Sequence, residues 1–471
     1  MTTQIPHNAE AALHLLNRAG FGPRPGSVAS VLKKGTQVYL NEQLRPTADP
    51  ALAAELARFK VLSYSVANIL DIYHGRVLFG RGMPEVVEQF QTVKVVRAVM
   101  GANQLREALV DFWFNHFNVN LQHKFVRESI LPYERDAIRP HVLGRFSDLL
   151  ASTARHPAML FYLDNYLSKK NTIIDGKVSR GLNENYGREL LELHTLGVNA
   201  GYTQEDVVNA ARCFTGWTID DLKTTGRFAF RAADHDSEPK RVFGLDLPGS
   251  GGIEEGAKLL RYLGTHPATA RFVSRKLATR FVSDDPPESL VEQCAQTFIS
   301  TGGDLREVTR TLFSSAEFWA SAGTPKLRTP LEYIAGALRA TGARVESAEP
   351  GLTWHLDHMG MRPYFCTPPT GWSDRGRDWQ SSAHVYRLNF ALDLGNDTVR
   401  GVKVQLPQTI ASVGGSARSA ASVTAFFNKE IFAGALSRPT LDAALGVEAG
   451  IPGTVAKVAS LILASPEMQW R

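Results

Sequence analysis

Apolar residues return every three or four positions through most of this chain, and that period predicts helices. It first appears over 11–18, and the stretch GFGPRPGS over 20–27 then stops it, leaving Arg24 in a loop before a further helix near Val28. The pattern runs over 51–77, pauses at 80–84, resumes over 86–100 and returns over 105–117. Two short helices are predicted over 141–150 and 157–167, and 168–181 reads as a polar connection. Beyond residue 250 the helical period recurs over 253–263, 268–281, 288–300, 305–313 and 330–340. A Pro-, Gly- and Trp-rich loop follows over 359–382, an exposed linker over 413–422, and short helices run from 439 to Met468. Only 222–249 changes character: residues 227–231 alternate apolar and polar, which predicts a short strand pair or an extended excursion. No repeat period is present. The expected architecture is mostly α, a multi-helical two-lobed fold with a small β or extended insertion. Its segments are an N-terminal helical lobe over 1–225, the insertion over 226–250, and a C-terminal helical lobe over 251–471.

The densest polar face lies on the segment 183–198, NENYGRELLELHTLGV. Leu190, Leu191, Leu193 and Leu196 sit at helical spacing, and Gly197 is placed to end the helix. Glu189 and Glu192 share a face, and Arg188 can reach Glu184 or Glu192. His194 projects roughly 140° from Glu189 around a regular helix, so one helix cannot aim both at a single ion without help from its ending. A charged stripe of this kind reads as a structural ion-pair network around Arg188, with an acid–base or metal site and a contact with a partner as the alternatives.

The same segment is followed by Gly201-Tyr202-Thr203-Gln204-Glu205-Asp206-Val207 and by Ala211-Arg212, Phe214-Thr215-Gly216-Trp217. This run resembles the hallmark of the DUF1800 family of uncharacterised bacterial proteins. The opening LLNRAGFGP (15–23), FWFNHFNV (112–119), FRAADHD (230–236) with Lys240 and Gly244, and HPATARFVSRKLATR (266–280) are similar to that family's ordered blocks. The loop Pro368-Pro369-Thr370-Gly371-Trp372, continuing to Trp379, departs from it, with charged and hydroxyl residues where a GWPGG-like turn is usual. The resemblance carries no established activity. It implies that the aromatic-proline loop is a lobe contact or cleft wall, that many relatives are exported, and that a sulfatase-like companion protein is a partner.

Composition narrows the classes. With 52 basic and 47 acidic side chains the net charge is +5, too small a surplus to indicate nucleic-acid binding. The three cysteines, Cys213, Cys294 and Cys366, are too far apart for a zinc knuckle or redox pair. No stretch approaches 18 uninterrupted apolar residues, and the N-terminus lacks a basic region followed by an apolar run. The expectation is a chain without membrane insertion, cytoplasmic as it stands, or exported if a signal segment has been removed. Neither a GxSxG elbow, a GxxxxGK[ST] loop nor a GxGxxG loop is present.

Two functional readings follow. In the first, a metal-assisted hydrolase, His116, Glu189 and His235 bind a divalent zinc, manganese or iron ion. Glu192, with Glu189 and His194, handles the proton of the attacking water. Arg188 and Arg212 pair with acidic side chains or hold an anionic substrate, and Trp217 and Trp372 contact that substrate. His116 among Phe112, Phe114 and Phe117 reads equally as a core residue, as do the His355 and His358 pair beside Trp354. In the second reading the protein is a non-catalytic binding or assembly protein acting with a partner, and the charged helix stabilises its core.

Overall fold

A computed structural model describes residues 5–76, 80–123, 125–174, 177–179, 181–448 and 453–471. The first four residues, Val77 and positions 175, 176 and 180 of the predicted connection lie outside the described residues. The fold is mostly α-helical, as the apolar period predicts, with minor β structure. The long predicted helices form at Met83–Met100, Gln104–His116, Ile253–Gly264, Pro267–Phe281, Glu288–Thr301 and Pro330–Thr341. The 51–77 run is divided into Pro50–Leu56, a tight turn at Lys60–Ser63, and Val66–Tyr73. One contiguous hydrophobic core draws residues from all three expected segments, from Ile5 to Met468. No helix among the described residues is long and apolar enough to cross a membrane.

Strands are more widespread than the alternation at 227–231 foretold. Trp217–Asp220, ahead of the expected insertion, pairs antiparallel with Arg227–Phe230 inside it, and Lys240–Val242 pairs with Leu245–Leu247. Another hairpin, Thr172–Ile174 with Lys177–Ser179, lies inside the predicted polar connection, and Arg344–Val345 pairs with Val402–Lys403. These strands are two to four residues long, too short for an alternating pattern to show in the sequence.

Helix starts explain several of the motifs. Thr203 caps the Gln204–Cys213 helix, and Asp206 reaches back to the Thr203 main chain, so the GYTQEDV run is a capping box. His266 caps Pro267–Phe281 through Nδ1, with proline in the first turn. Thr329 and Glu332 cap Pro330–Thr341 in the same reciprocal way, here inside the core.

Glu332 also belongs to a buried chain of charges that ties distant helices together. Lys94 lies 3.0 Å from Asp111 and 3.6 Å from Glu134. Arg139 donates to Glu107 at 2.7 and 2.9 Å and to Glu134 at 3.1 Å, and the Tyr364 hydroxyl donates to Glu134 at 2.9 Å. Asp111 passes the chain to Arg280 at 3.2 Å, Arg280 to Glu332 at 2.9 Å, and Glu332 to Arg471 at 3.0 Å. All of these side chains except that of the tyrosine are charged, and all are buried. Burial alone would raise the two glutamates, but Lys94 and Arg139 pull Glu134 down to about 2, and Arg280 and Arg471 do the same for Glu332.

Because both folded values lie below the ordinary 4.5, this stabilisation is complete above pH 4.5 and is lost as pH falls toward 2. Glu332→Gln, which strands Arg280 and Arg471 in the core, is expected to cost about 3–5 kcal/mol in urea unfolding at neutral pH. It should also make the decline between pH 4.5 and 2 shallower than in the native chain.

Candidate functional site

The charged segment starts as the helix Asn185–Glu189 and then widens at Leu190–Thr195 into a turn with main-chain bonds five residues apart. Leu196 N–H donates to the Leu191 carbonyl at 3.0 Å, and the Thr195 hydroxyl donates to the Leu190 carbonyl at 2.6 Å. Gly187 is required by packing: a Cβ there would lie 2.7 Å from the Ala211 nitrogen, so the two halves of the hallmark meet where only glycine fits. Glu189 and Glu192 sit half-buried on the outer side. Burial and then Glu192 raise the Glu189 carboxyl, with Arg188 opposing. Arg188 itself pairs with Glu184 at 3.0 Å and also meets Gln204, which makes it a surface ion pair.

The opposite side of the segment enters the core. His194 is buried, and burial followed by the Lys276 ammonium lowers it to about 3. His116 faces it, ring centroids 6.3 Å apart, with Nε2 3.1 Å from the His194 carbonyl. Burial, Lys276 and His194 push His116 well below its ordinary value. Two neutral imidazoles beside a cation and packed on Trp113 and Phe117 are core residues in this arrangement.

The HDSEPK stretch fastens the β insertion. His235 spans Thr215 and Glu255, with Nδ1 2.9 Å from the Thr215 carbonyl and Nε2 3.3 Å from a Glu255 oxygen. Lys240 donates to that Glu255 oxygen at 2.7 Å and to the carbonyls of Asp236 and Glu238. Arg212 grips Asp236 with two bonds of 2.9 Å. Trp217 is fully buried between Phe214 and Phe228.

His116 and His235 therefore take separate protein partners while Glu189 faces outward, and among the described residues no group of three His, Cys, Asp or Glu side chains could hold a metal ion. The helix supplies no common focus because its carboxylates face outward while its histidine faces inward. Arg188, Arg212 and Trp217 are likewise occupied by protein. Trp372 lines a cavity, together with Lys94, Asp111 and Tyr364. Asn115 clamps its main chain from both sides, at 2.6 and 2.7 Å. That cavity holds about 20 Å³, room for one water molecule.

Ligand-sized space lies elsewhere. A cleft of about 640 Å³ is lined by Arg127, by Arg81, which pairs with Glu88, and by Arg362, which pairs with Glu349. A second, of about 570 Å³, is lined by Asp284, Asp285, Ser321, Thr324, Lys326 and Arg377 among others. The Lys326 ammonium pairs with Asp284 and donates to the Asp374 carbonyl at 2.8 Å. Burial, and then the charge of Arg471, lower it to about 8. Asp284 is held in turn by the main-chain N–H groups of Gly376 at 2.7 Å and Arg377 at 2.8 Å.

A family model described as DUF1800, protein of unknown function, matches residues 14–470. The chain belongs to the DUF1800 family. Neither curated proteins nor solved structures gave a match. In this DUF1800 chain the hallmark residues form a helix junction, a capping box and an ion cluster that anchors the insertion. The cleft residues Lys326 and Asp284 escaped the sequence reading because a lysine in a loop beside proline gives no sign of burial, and its carboxylate partner is 42 positions away.

The division between outward and inward charges has a direct test. Glu255→Gln, leaving buried Lys240 without its carboxylate, is expected to lower unfolding free energy by about 3–5 kcal/mol. Glu189→Gln should stay within about 0.5 kcal/mol of native under the same urea titration, since its half-buried carboxylate makes no ion pair.

Proposed function

We propose that this DUF1800 protein is a binding protein whose small polar ligand occupies the cleft at Asp284 and Lys326. The observation that carries this reading is an ammonium lowered to about 8 at the wall of a cleft of about 570 Å³. A desolvated group with a named charge partner, in a space of that size, is the arrangement expected of a ligand site. The hydrolase reading has less support, because its three metal ligands engage Thr215, Glu255 and the His194 carbonyl or face outward.

Lys326 titrates below its ordinary 10.5, so its charge opposes folding most strongly below pH 8, and stability rises as pH climbs from about 8 to 10.5. A ligand held by the ammonium is expected to raise the melting temperature at pH 7 more than at pH 9.5. Screening small carboxylates and amino acids by thermal shift checks this. The response should vanish in Lys326→Met, and a ligand that protects Lys326→Met as well as the native chain refutes the site.

Assembly with a partner protein, the sulfatase-like companion implied by resemblance, is a second reading with its own observation. Val385, Leu388 and Leu392 lie three and four residues apart on His384–Gly395 and stay about half exposed, with Trp354 similarly exposed on Gly351–His358. Leu388→Asp should leave the melting temperature within about 2 °C while abolishing any complex seen by sedimentation. An unaltered complex rejects this face.

A further inference from the structure

Between the 20–27 loop, the end of the Met83–Met100 helix, Pro330–Thr341 and Leu406–Ser412 lies a cavity of about 340 Å³. Its charged lining consists of Arg24, Arg339 and Arg344, accompanied by the hydroxyl residues Thr409 and Ser412 and by no carboxylate. Arg339 is buried, and its side chain donates to the carbonyls of Gly22 and Val99, each at 2.7 Å. Arg24 donates to the same Val99 carbonyl. Two guanidinium groups thus converge on one main-chain oxygen.

That oxygen is among the last carbonyls of the Met83–Met100 helix, so part of the arrangement is a helix C-cap. A helix C-terminus supplies only about half a negative charge, against two full positive ones. The nearest carboxylates do not close the gap. Asp49, which acts on Arg24, already accepts main-chain N–H bonds from Leu52 and Ala102. Glu55 is 3.9 Å from Arg344 and pairs more closely, at 2.7 Å, with Arg58. Burial, then repulsion from Arg24, lower Arg339 to about 9. An anion placed between the two would relieve both effects.

We propose that this cavity binds the phosphate or sulfate group of a small molecule, gripped by Arg24, Arg339 and Arg344 with hydroxyl bonds from Thr409 and Ser412. Guanidinium forks suit the oxygens of such a group, and the volume falls at the lower end of small-molecule sites, roughly 300–1,000 Å³. The site is separate from the Lys326 cleft, with which it shares no lining residue.

Titration calorimetry and thermal shift with inorganic phosphate and sulfate, against acetate and chloride at equal ionic strength, test the proposal. In the Lys326→Met chain, whose other cleft has lost its ammonium, phosphate or sulfate should bind and raise the melting temperature where acetate and chloride do not, and the better of the two identifies the group. Arg24→Gln leaves Arg339 on the Val99 carbonyl and should fold. It is expected to weaken binding about tenfold or more, and Arg344→Gln and Thr409→Val to weaken it several-fold. Lys326→Met should bind phosphate as the native chain does. A phosphate response no larger than that to acetate, or one unchanged in both Arg24→Gln and Arg344→Gln, overturns the site. So does a response lost in Lys326→Met but kept in Arg24→Gln, which would place the anion in the other cleft.

Discussion

Charge inside the core must be matched, and the fold is organised around that requirement. Glu332 between Arg280 and Arg471, and Asp111 between Lys94 and Arg280, link helices more than 150 residues apart in sequence to the last residue of the chain. Leaving any of these charges alone in the interior costs several kcal/mol, comparable with the whole stability of a folded domain. Apolar contacts supply the driving force for collapse, but they are tolerant of small shifts. The ion pairs are satisfied only in one arrangement, so they set how the Met83–Met100, Gln104–His116, Pro267–Phe281 and Pro330–Thr341 helices meet.

The same constraint sorts the polar residues. His116 and His194 remain neutral because Lys276 and the surrounding rings leave no room for another positive charge. His235, Lys240 and Glu255 satisfy one another and bind the β insertion to the helices below it. Glu189 and Glu192 keep outside the core, where water can solvate them. Residue types suited to metal chemistry are thus present without a common focus. The two places proposed to admit a ligand each set a desolvated cation beside open space: Lys326 in its cleft, and the Arg24 and Arg339 pair at the end of a helix.

The family hallmark acquires a physical meaning from this arrangement. Gly187 permits contact with Ala211, Thr203 and Asp206 start the next helix, and Arg212 holds Asp236. Each contributes to building the junction. The departure of the 368–379 loop from the family's usual turn falls where Asp374 and the main chain of Gly376 and Arg377 border the Lys326 cleft.

Helices and their approximate ends were legible in the sequence, because the 3.6-residue period acts between neighbours. The Asn183–Val198 helix, the shared face of Glu189 and Glu192 and the glycine stop could be read directly, as could the unusual character of 222–249; that this face points outward could not. Whether Lys94 is solvated or buried, which carboxylate Arg280 meets, and whether His116 can reach His235 are set by contacts between residues far apart in the chain. Those contacts depend on how helices stack, and a local pattern does not encode the partner that neutralises a charge. Tertiary structure alone decided that His116, His235, Lys240 and Glu255 are buried among protein partners, and that open space lies beside Arg362, Lys326 and Arg339.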